Sequence, residues 1–251
     1  MNAWSSEFTE SILLEDYLKK WTLLSPEKIA ETLTSHVYKV QHKNQKAVLK
    51  LLTPLGQKDE TDGAIALRCY GGNGAVSLIE ADEGAHLLSF ADGRFLKELV
   101  TEGRDVDATE IICDVLAKIH GTEQIPATLT PMNENFRALF HHTKDNDGDS
   151  TMAFAARTAK KLLETESETV LLHGDIHHKN ILESSDHGWV AIDPKGLIGE
   201  RTYDFANVFY NPDDLPGIVE NTERIENLCG IFYRRFGIDK KRILEFAFAY
   251  G

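Results

Sequence analysis

The chain has 251 residues, of which 42% are hydrophobic and 27% charged, and its formal net charge is −13. That length can bury a substantial core, either in one large domain or in two lobes around a cleft. The acidic balance argues against a general nucleic-acid binder, which needs a basic surface to neutralise phosphate, and its field favours small cationic partners.

No apolar run approaches the length of a membrane span, and the opening MNAWSSEFTESILLEDYLKKW lacks a basic region followed by an apolar core. No secretory signal is therefore expected, and a cytoplasmic location follows. Residues Phe8 to Trp21 have helical spacing, with Ile12, Leu13, Tyr17 and Leu18 on one apolar face. From Ala30 to Leu52 the pattern changes to strands, TLTSHVYKVQ and KAVLKLL, separated by a turn at His42 to Gln45. Lys50 lies inside the second strand, between Leu49 and Leu51. A lysine there is costly to bury unless an anion pairs with it; a solvated edge-strand lysine is the plain alternative.

A helix is expected from about Asp59 to Tyr70, with Glu60 as the best candidate partner for Lys50 and Asp62 as the alternative. The GGNG tetrad at Gly71 to Gly74 lacks the Lys-Ser or Lys-Thr ending of a phosphate loop and reads as a helix stop and turn. AVSLIEAD and AHLLSF then complete a five-strand antiparallel sheet with one helix. Ser89 to Gly93 form a small polar connector, which divides the chain into lobes at 1–90 and 91–251.

Beyond the connector the pattern is helical. Ala108 to His120 carries Ile111, Ile112, Val115, Leu116 and Ile119 on one face, and His120 near its end reads as a capping residue. KDNDGDS, from Lys144 to Ser150, is a polar loop; calcium binding is a minor alternative because the EF-hand pattern is incomplete. Thr151 to Glu164, Ile218 to Phe236 and Asp239 to Tyr250 are further helices. Cys69, Cys113 and Cys229 stand far apart in apolar or helical contexts, as reduced thiols do.

The chemistry-bearing stretch is Val170 to Gly196, VLLHGDIHHKNILESSDHGWVAIDPKG. It reads as a strand, a polar loop, a short strand, a turn and a strand ending at Asp193, so Asp175, Asn180 and Asp193 fall where strands give way to loops. Four residues separate Asp175 from Asn180, the spacing of the kinase catalytic loop, in which the Asp receives the acceptor's proton and the Asn holds magnesium. Asp193 follows on the next hairpin, where kinases place a second magnesium ligand. Phosphoryl transfer needs such a set because metal must neutralise the phosphates while one carboxylate orients the nucleophile.

In that setting Lys50 would contact the nucleotide phosphates, Glu60 would position it, and adenine would lie against the backbone of the connector at Ser89, Phe90 and Ala91. The loop before Lys50 holds Thr34, Ser35 and His36 but no glycine-rich motif, so any nucleotide-covering turn must use other backbone donors. A zinc cluster of His173, His177 and His178, with Asp175 serving a hydrolase, is the competing reading; it lacks cysteine partners at ligand spacing. Asp204, before an apolar helix, is either a helix cap or a carboxylate bracing the catalytic loop, and the bracing role is favoured; His173 is expected to brace that loop too.

LLHGDIHHKNIL followed by WVAIDPKGLIGERTYDFANVFYNP closely resembles the aminoglycoside/hydroxyurea antibiotic-resistance kinase family, best known for streptomycin 6-phosphotransferases. The resemblance is strongest over Leu171 to Pro212 and weaker over AVLKLL, GGNGAVSLIEAD and the helix ending at His120. It implies an α+β, two-lobed protein-kinase-like fold, with a small antiparallel-sheet N-lobe and a larger, mainly helical C-lobe. It implies ATP and magnesium as cofactors, and an aminoglycoside hydroxyl, most of all streptomycin's, as acceptor. By position, Asp175 would be the base, Asn180 and Asp193 the magnesium ligands, Lys50 the phosphate contact and Glu60 its partner. Another acceptor, such as hydroxyurea or a metabolite, and a non-catalytic nucleotide-binding protein are the alternatives. The chain ends at RILEFAFAYG, in an apolar helix where family members usually continue, so part of the substrate-side wall is expected to be missing or supplied differently.

Overall fold

The computed structural model describes residues 3–143 and 150–251, and the KDNDGDS loop with its calcium alternative falls largely outside the described residues. Helix α1 (Ala3–Lys20) precedes five antiparallel strands, β1 (Leu24–Glu31), β2 (Ser35–His42), β3 (Gln45–Leu52), β4 (Leu78–Asp82) and β5 (Ala85–Ser89), in the order β1-β2-β3-β5-β4. Two helices, α2 (Gly56–Asp59) and α3 (Thr61–Tyr70), connect β3 to β4. The sheet has the expected five strands, but the four segments named from the sequence correspond to β2, β3, β4 and β5, and β1, which lies before them, corresponds to none. Every residue of β1 is exposed, so it carries no alternation by which a sequence pattern could find it.

Alternation decides which way Lys50 faces. Ala47, Leu49 and Leu51 of β3 join Tyr38, Val40, Ala85 and Leu87 in a core that packs against Leu13, Leu14, Tyr17, Leu18 and Trp21. Side chains on a strand alternate between faces, so Lys50 is turned to the other side of the sheet, toward the helical lobe.

That lobe contains α4 (Lys97–Thr101), α5 (Asp105–His120), β6 (Thr130–Pro131), α6 (Arg137–Thr143), α7 (Thr151–Glu164), β7 (Thr169–Leu172), β8 (Ile181–Ser184), β9 (Gly188–Ala191), β10 (Leu197–Glu200), α8 (Thr202–Ala206), α9 (Pro216–Val219), α10 (Thr222–Phe236) and α11 (Lys240–Tyr250). Local signals account for the ends of several helices. Ser150 caps α7 through Ala153 N–H, while Asn221 accepts from Glu223 and Arg224 N–H and starts α10 four residues later than the apolar pattern indicates. The centre of the core is aromatic: Phe205 is fully buried with Phe232 stacked 4.6 Å away and Phe236 at 5.0 Å.

Two joints hold the lobes in register. Gly71 stops α3 in a left-handed conformation, as expected of the GGNG tetrad. The same tetrad also reaches the β8–β9 hairpin, since Ala191 N–H donates to Gly74 O at 2.9 Å and Val76 N–H to Ala191 O at 3.0 Å. The second joint is backbone on backbone. A Cβ on Gly63 would lie 2.2 Å from Pro194 O, and one on Gly196 would lie 2.2 Å from Asp62 O. The start of α3 therefore rests directly on the turn from Asp193 to Gly196.

Gly63→Ala should accordingly destabilise the protein by about 1–3 kcal/mol in urea unfolding, because neither backbone can yield to the added methyl. Gly230→Ala, within α10 with nothing inside 4 Å of the new methyl, should instead stabilise by about 0.5–1 kcal/mol through helix propensity.

Candidate active site

Lys50 is 6% exposed, and its ammonium donates to Glu60 Oε2 at 2.5 Å and to Asp193 Oδ1 at 2.9 Å. Burial alone pulls its pKa down, but the two carboxylates outweigh that and hold it above its ordinary value, so the lysine stays charged. Its cross-strand neighbour His86 is also buried, and desolvation lowers its pKa, which leaves Lys50 beside a neutral ring. Glu60 was expected inside the helix; it lies instead at the junction of α2 and α3, where it caps the start of α3 with its backbone. The alternative partner, Asp62, is engaged elsewhere, accepting from Thr130 N–H at 2.9 Å and from Thr130 Oγ1 at 2.6 Å.

Asp193 has φ of +55°, a left-handed conformation that is uncommon outside glycine and that aspartate tolerates better than most. That bend ends β9 and turns the carboxylate back to Lys50. Asn180 stands opposite, its side-chain amide donating to Asp175 O at 2.9 Å and its backbone carbonyl accepting from Ile192 N–H.

The loop that carries Asp175 is tied down by a fully buried carboxylate. Asp204 accepts from His173 N–H at 2.9 Å and Gly174 N–H at 2.7 Å, and its Oδ2 lies 2.8 Å from His120 Nε2. It sits inside α8 rather than at its cap, so its contacts are those of a loop brace. His120, read from the sequence as a helix cap, is buried and spends its ring nitrogen on Asp204. His173 Nε2 is 2.9 Å from Ile192 O, while Nδ1 accepts from Asp175 N–H at 3.2 Å, which sets the tautomer with the proton on Nε2.

Among the described residues Asp175 is held at one oxygen only, Oδ1, by Asn207 Nδ2 at 2.9 Å. Burial pushes its pKa up to about 6, against the pull of the Lys195 charge and the Asn207 hydrogen bond, with Asp193 and Asp204 adding to the rise. Asn207 is fixed in turn by Asn211, and the Asn211 carbonyl by buried Arg224. This support was not assigned from the sequence. Two asparagines four residues apart in an otherwise apolar run, DFANVFYN, were the available signal.

Desolvation lowers His177 to about 4 and His178 to about 3, so both rings are neutral. Among the described residues no three His, Cys, Asp or Glu side chains converge as a metal cluster, which leaves the zinc reading without a ligand set.

Two cavities meet at Asp175. One, of about 180 Å³, is lined by Lys50, Glu60, Asn180, Asp193 and His177, with Thr32 and Thr34 from the β1–β2 turn. The other, of about 570 Å³, is lined by Lys58, Asp62, Thr130, Asn135 and Tyr250. Asp59, Asp175 and Lys195 line both. Oxygen donors from Asn180 and Asp193 suit a hard divalent cation, and Asp193 Oδ2 has no protein partner among the described residues. The smaller cavity holds four carboxylates against two lysines, an excess that favours a cation before any polyphosphate. Ser89, Phe90 and Ala91 do not line it. Ser89 pairs with Ala47, three residues along β3 from Lys50, and so lies about 10 Å away at the rise of a strand.

The model describing the aminoglycoside/hydroxyurea antibiotic resistance kinases matches residues 20–251. A streptomycin 3''-kinase of Klebsiella pneumoniae is 34% identical, over 93% of this chain and 87% of its own length. A streptomycin 6-kinase of Streptomyces griseus is 28% identical, over 63% of this chain and 53% of its own length. Among solved structures, the aminoglycoside phosphotransferase APH(4)-Ia in a ternary complex with ADP and hygromycin B superimposes with a TM-score of 0.64 at 16% identity, covering 94% of this chain and 87% of that one. The fold is thus the expected α+β, protein-kinase-like one, with an antiparallel-sheet lobe and a larger helical lobe. With the model matching nearly its whole length, the chain belongs to the aminoglycoside/hydroxyurea antibiotic resistance kinase family, phosphotransferases whose acceptor is a hydroxyl group.

Proposed function

We propose that this protein transfers the γ-phosphoryl group of ATP, with magnesium, to a hydroxyl of streptomycin and thereby confers resistance to it. The observation that carries the reading is a buried lysine paired to two carboxylates from different lobes, in a cavity that also presents Asp175 and Asn180. Lys50 holds the donor phosphates, and Glu60 keeps it aimed. Asn180 and Asp193 hold the magnesium ion, which when bound neutralises phosphate charge. Asp175, with Oδ1 fixed by Asn207, takes the acceptor's proton on its other oxygen while the acceptor oxygen bonds to phosphorus and the bond to ADP breaks. Asp204 and His173 keep the loop in place. The adenine lies against Ser89 to Ala91, and the lobes divide at 90/91.

The larger cavity takes the acceptor. A cationic aminocyclitol suits a chain of net charge −13, and Asp59 stands at the junction of the two cavities. The 3'' hydroxyl is the preferred target. The relative of that specificity is alike over far more of both chains than the 6-kinase is. No helix among the described residues is long and apolar enough to cross a membrane, and we place the reaction in the cytoplasm, where ATP is supplied.

Asp175→Asn should abolish streptomycin-dependent ATP consumption by at least about 100-fold while leaving the fold intact. Retained turnover would remove Asp175 as the base. The sign of its stability effect follows from the raised pKa. A carboxyl moved from 3.8 to about 6 costs nothing below pH 3.8, and its ionised form costs up to about 3 kcal/mol above pH 6. In metal-free urea unfolding, Asp175→Asn should therefore be more stable than the wild type by about 1–3 kcal/mol at pH 7.5, with the difference vanishing near pH 4.

The same group should make kcat/KM fall about tenfold per pH unit below pH 6. Asn207→Ala should move that limb to higher pH, because the lost hydrogen bond favoured the ionised carboxylate. The position of phosphate on the product, read by NMR, checks the 3'' assignment; phosphate at the 6 position would overturn it.

A further inference from the structure

We infer that Lys195 is a further catalytic residue, whose ammonium contacts the phosphoryl group in flight between donor and acceptor. The inference rests on the phosphotransferase reading of the site and adds a residue that the kinase spacing did not point to. Of the residues that line both cavities, Asp59 and Asp175 are acids and Lys195 is the one base. A group that borders both spaces borders the path between them.

Among the described residues Lys195 is also uncommitted, as is Lys58, but Lys58 lines the larger cavity and not the smaller one. Lys50 is held by Glu60 and Asp193, and Lys179 is held by Asp213, whereas Lys195 makes no ion pair or side-chain hydrogen bond among the described residues and is exposed. Lysine Nζ carries three donors on a flexible stem, so it can follow a group that moves.

The stem is nevertheless anchored against the loop of Asp175. Lys195 N–H donates to His173 O at 2.8 Å, and Gly196 N–H reaches the same carbonyl at 3.2 Å. Gly174, the residue before Asp175, has φ of +82°, and a Cβ there would lie 3.0 Å from the Lys195 Cβ. Two backbone bonds and a glycine contact thus bring a lysine stem beside the carboxylate that faces the acceptor.

Charge makes the contact useful at one moment in particular. When the bond to ADP breaks and the new bond to the acceptor oxygen forms, charge spreads over the three equatorial oxygens of the transferring group. Lys50 and the metal ligands lie on the donor side. A cation at the junction of the two cavities meets those equatorial oxygens and takes no part in the proton transfer to Asp175. The interaction is stronger in the transition state than with bound ATP, so it should appear in kcat more than in nucleotide affinity.

The test compares Lys195→Met and Lys195→Arg with the wild type in three assays: streptomycin phosphorylation, ATP hydrolysis without acceptor, and titration with ADP in the presence and absence of aluminium fluoride, which mimics the phosphoryl group in transfer. K195M should lose about 100-fold or more in kcat in both reactions, with KM for ATP and ADP affinity within about twofold of the wild type. It should also lose the gain in ADP affinity that aluminium fluoride gives the wild type, and K195R should recover part of each loss. Unimpaired hydrolysis and fluoride response in K195M overturn the inference, even if the KM for streptomycin rises, because the lysine then touches the acceptor and not the phosphoryl group. A wild type that transfers phosphate neither to streptomycin nor to water overturns the reading of the site, and the inference with it.

Discussion

A lysine ammonium buried between two carboxylates ties this molecule together. Lys50 comes from the sheet, Glu60 from the junction of α2 and α3, and Asp193 from the turn after β9. Taking such a charge out of water costs several kcal/mol, and only paired, hydrogen-bonded anions offset the cost. Each partner therefore depends on the others being in place. The glycine contacts between α3 and the Asp193 turn bring the two carboxylates close, and the alternation of β3 points the lysine at them. Removing either acid would leave a buried charge short of a partner, which is why the relative position of the lobes and the composition of the site are one constraint.

A second, independent framework governs Asp175. Asp204 spends its oxygens on the backbone of His173 and Gly174 and on His120, while Arg224, Asn211 and Asn207 form a chain that ends on Asp175 Oδ1. The first set fixes the loop and the second fixes the carboxylate. Burial supplies the remaining element: it pushes the Asp175 carboxyl up to about 6, a value that would suit the base role proposed for it. The ligand-free protein thus holds a destabilised carboxylate in a rigid frame, a common arrangement where stability is given up for chemistry.

Most of this was legible from local spacing. The interval from Asp175 to Asn180, the hairpin before Asp193 and the apolar strand around Lys50 each carry their own signal, because strand and loop periods place those residues without reference to distant parts of the chain. Glu60 was legible for a similar reason, although α3 begins at Thr61, two residues later than expected. Other parts were not. Strand β1 is exposed throughout and has no pattern. His120 looks like any helix-terminal histidine until the fold brings Asp204 to it across 84 residues. Lys195 reads as one more surface lysine, since its proximity to both cavities exists only once the Asp193 turn is folded against the Asp175 loop.

We propose that the buried Lys50 cluster is the donor-phosphate site of a streptomycin phosphotransferase. The most direct measurement follows γ-labelled ATP after incubation with magnesium and streptomycin, in the wild type and in Lys50→Met, with circular dichroism to show that both are folded. Label is expected on streptomycin in the wild type, and none above background in the folded variant. Equal labelling by Lys50→Met, or label recovered from the wild type solely as free phosphate, would contradict it.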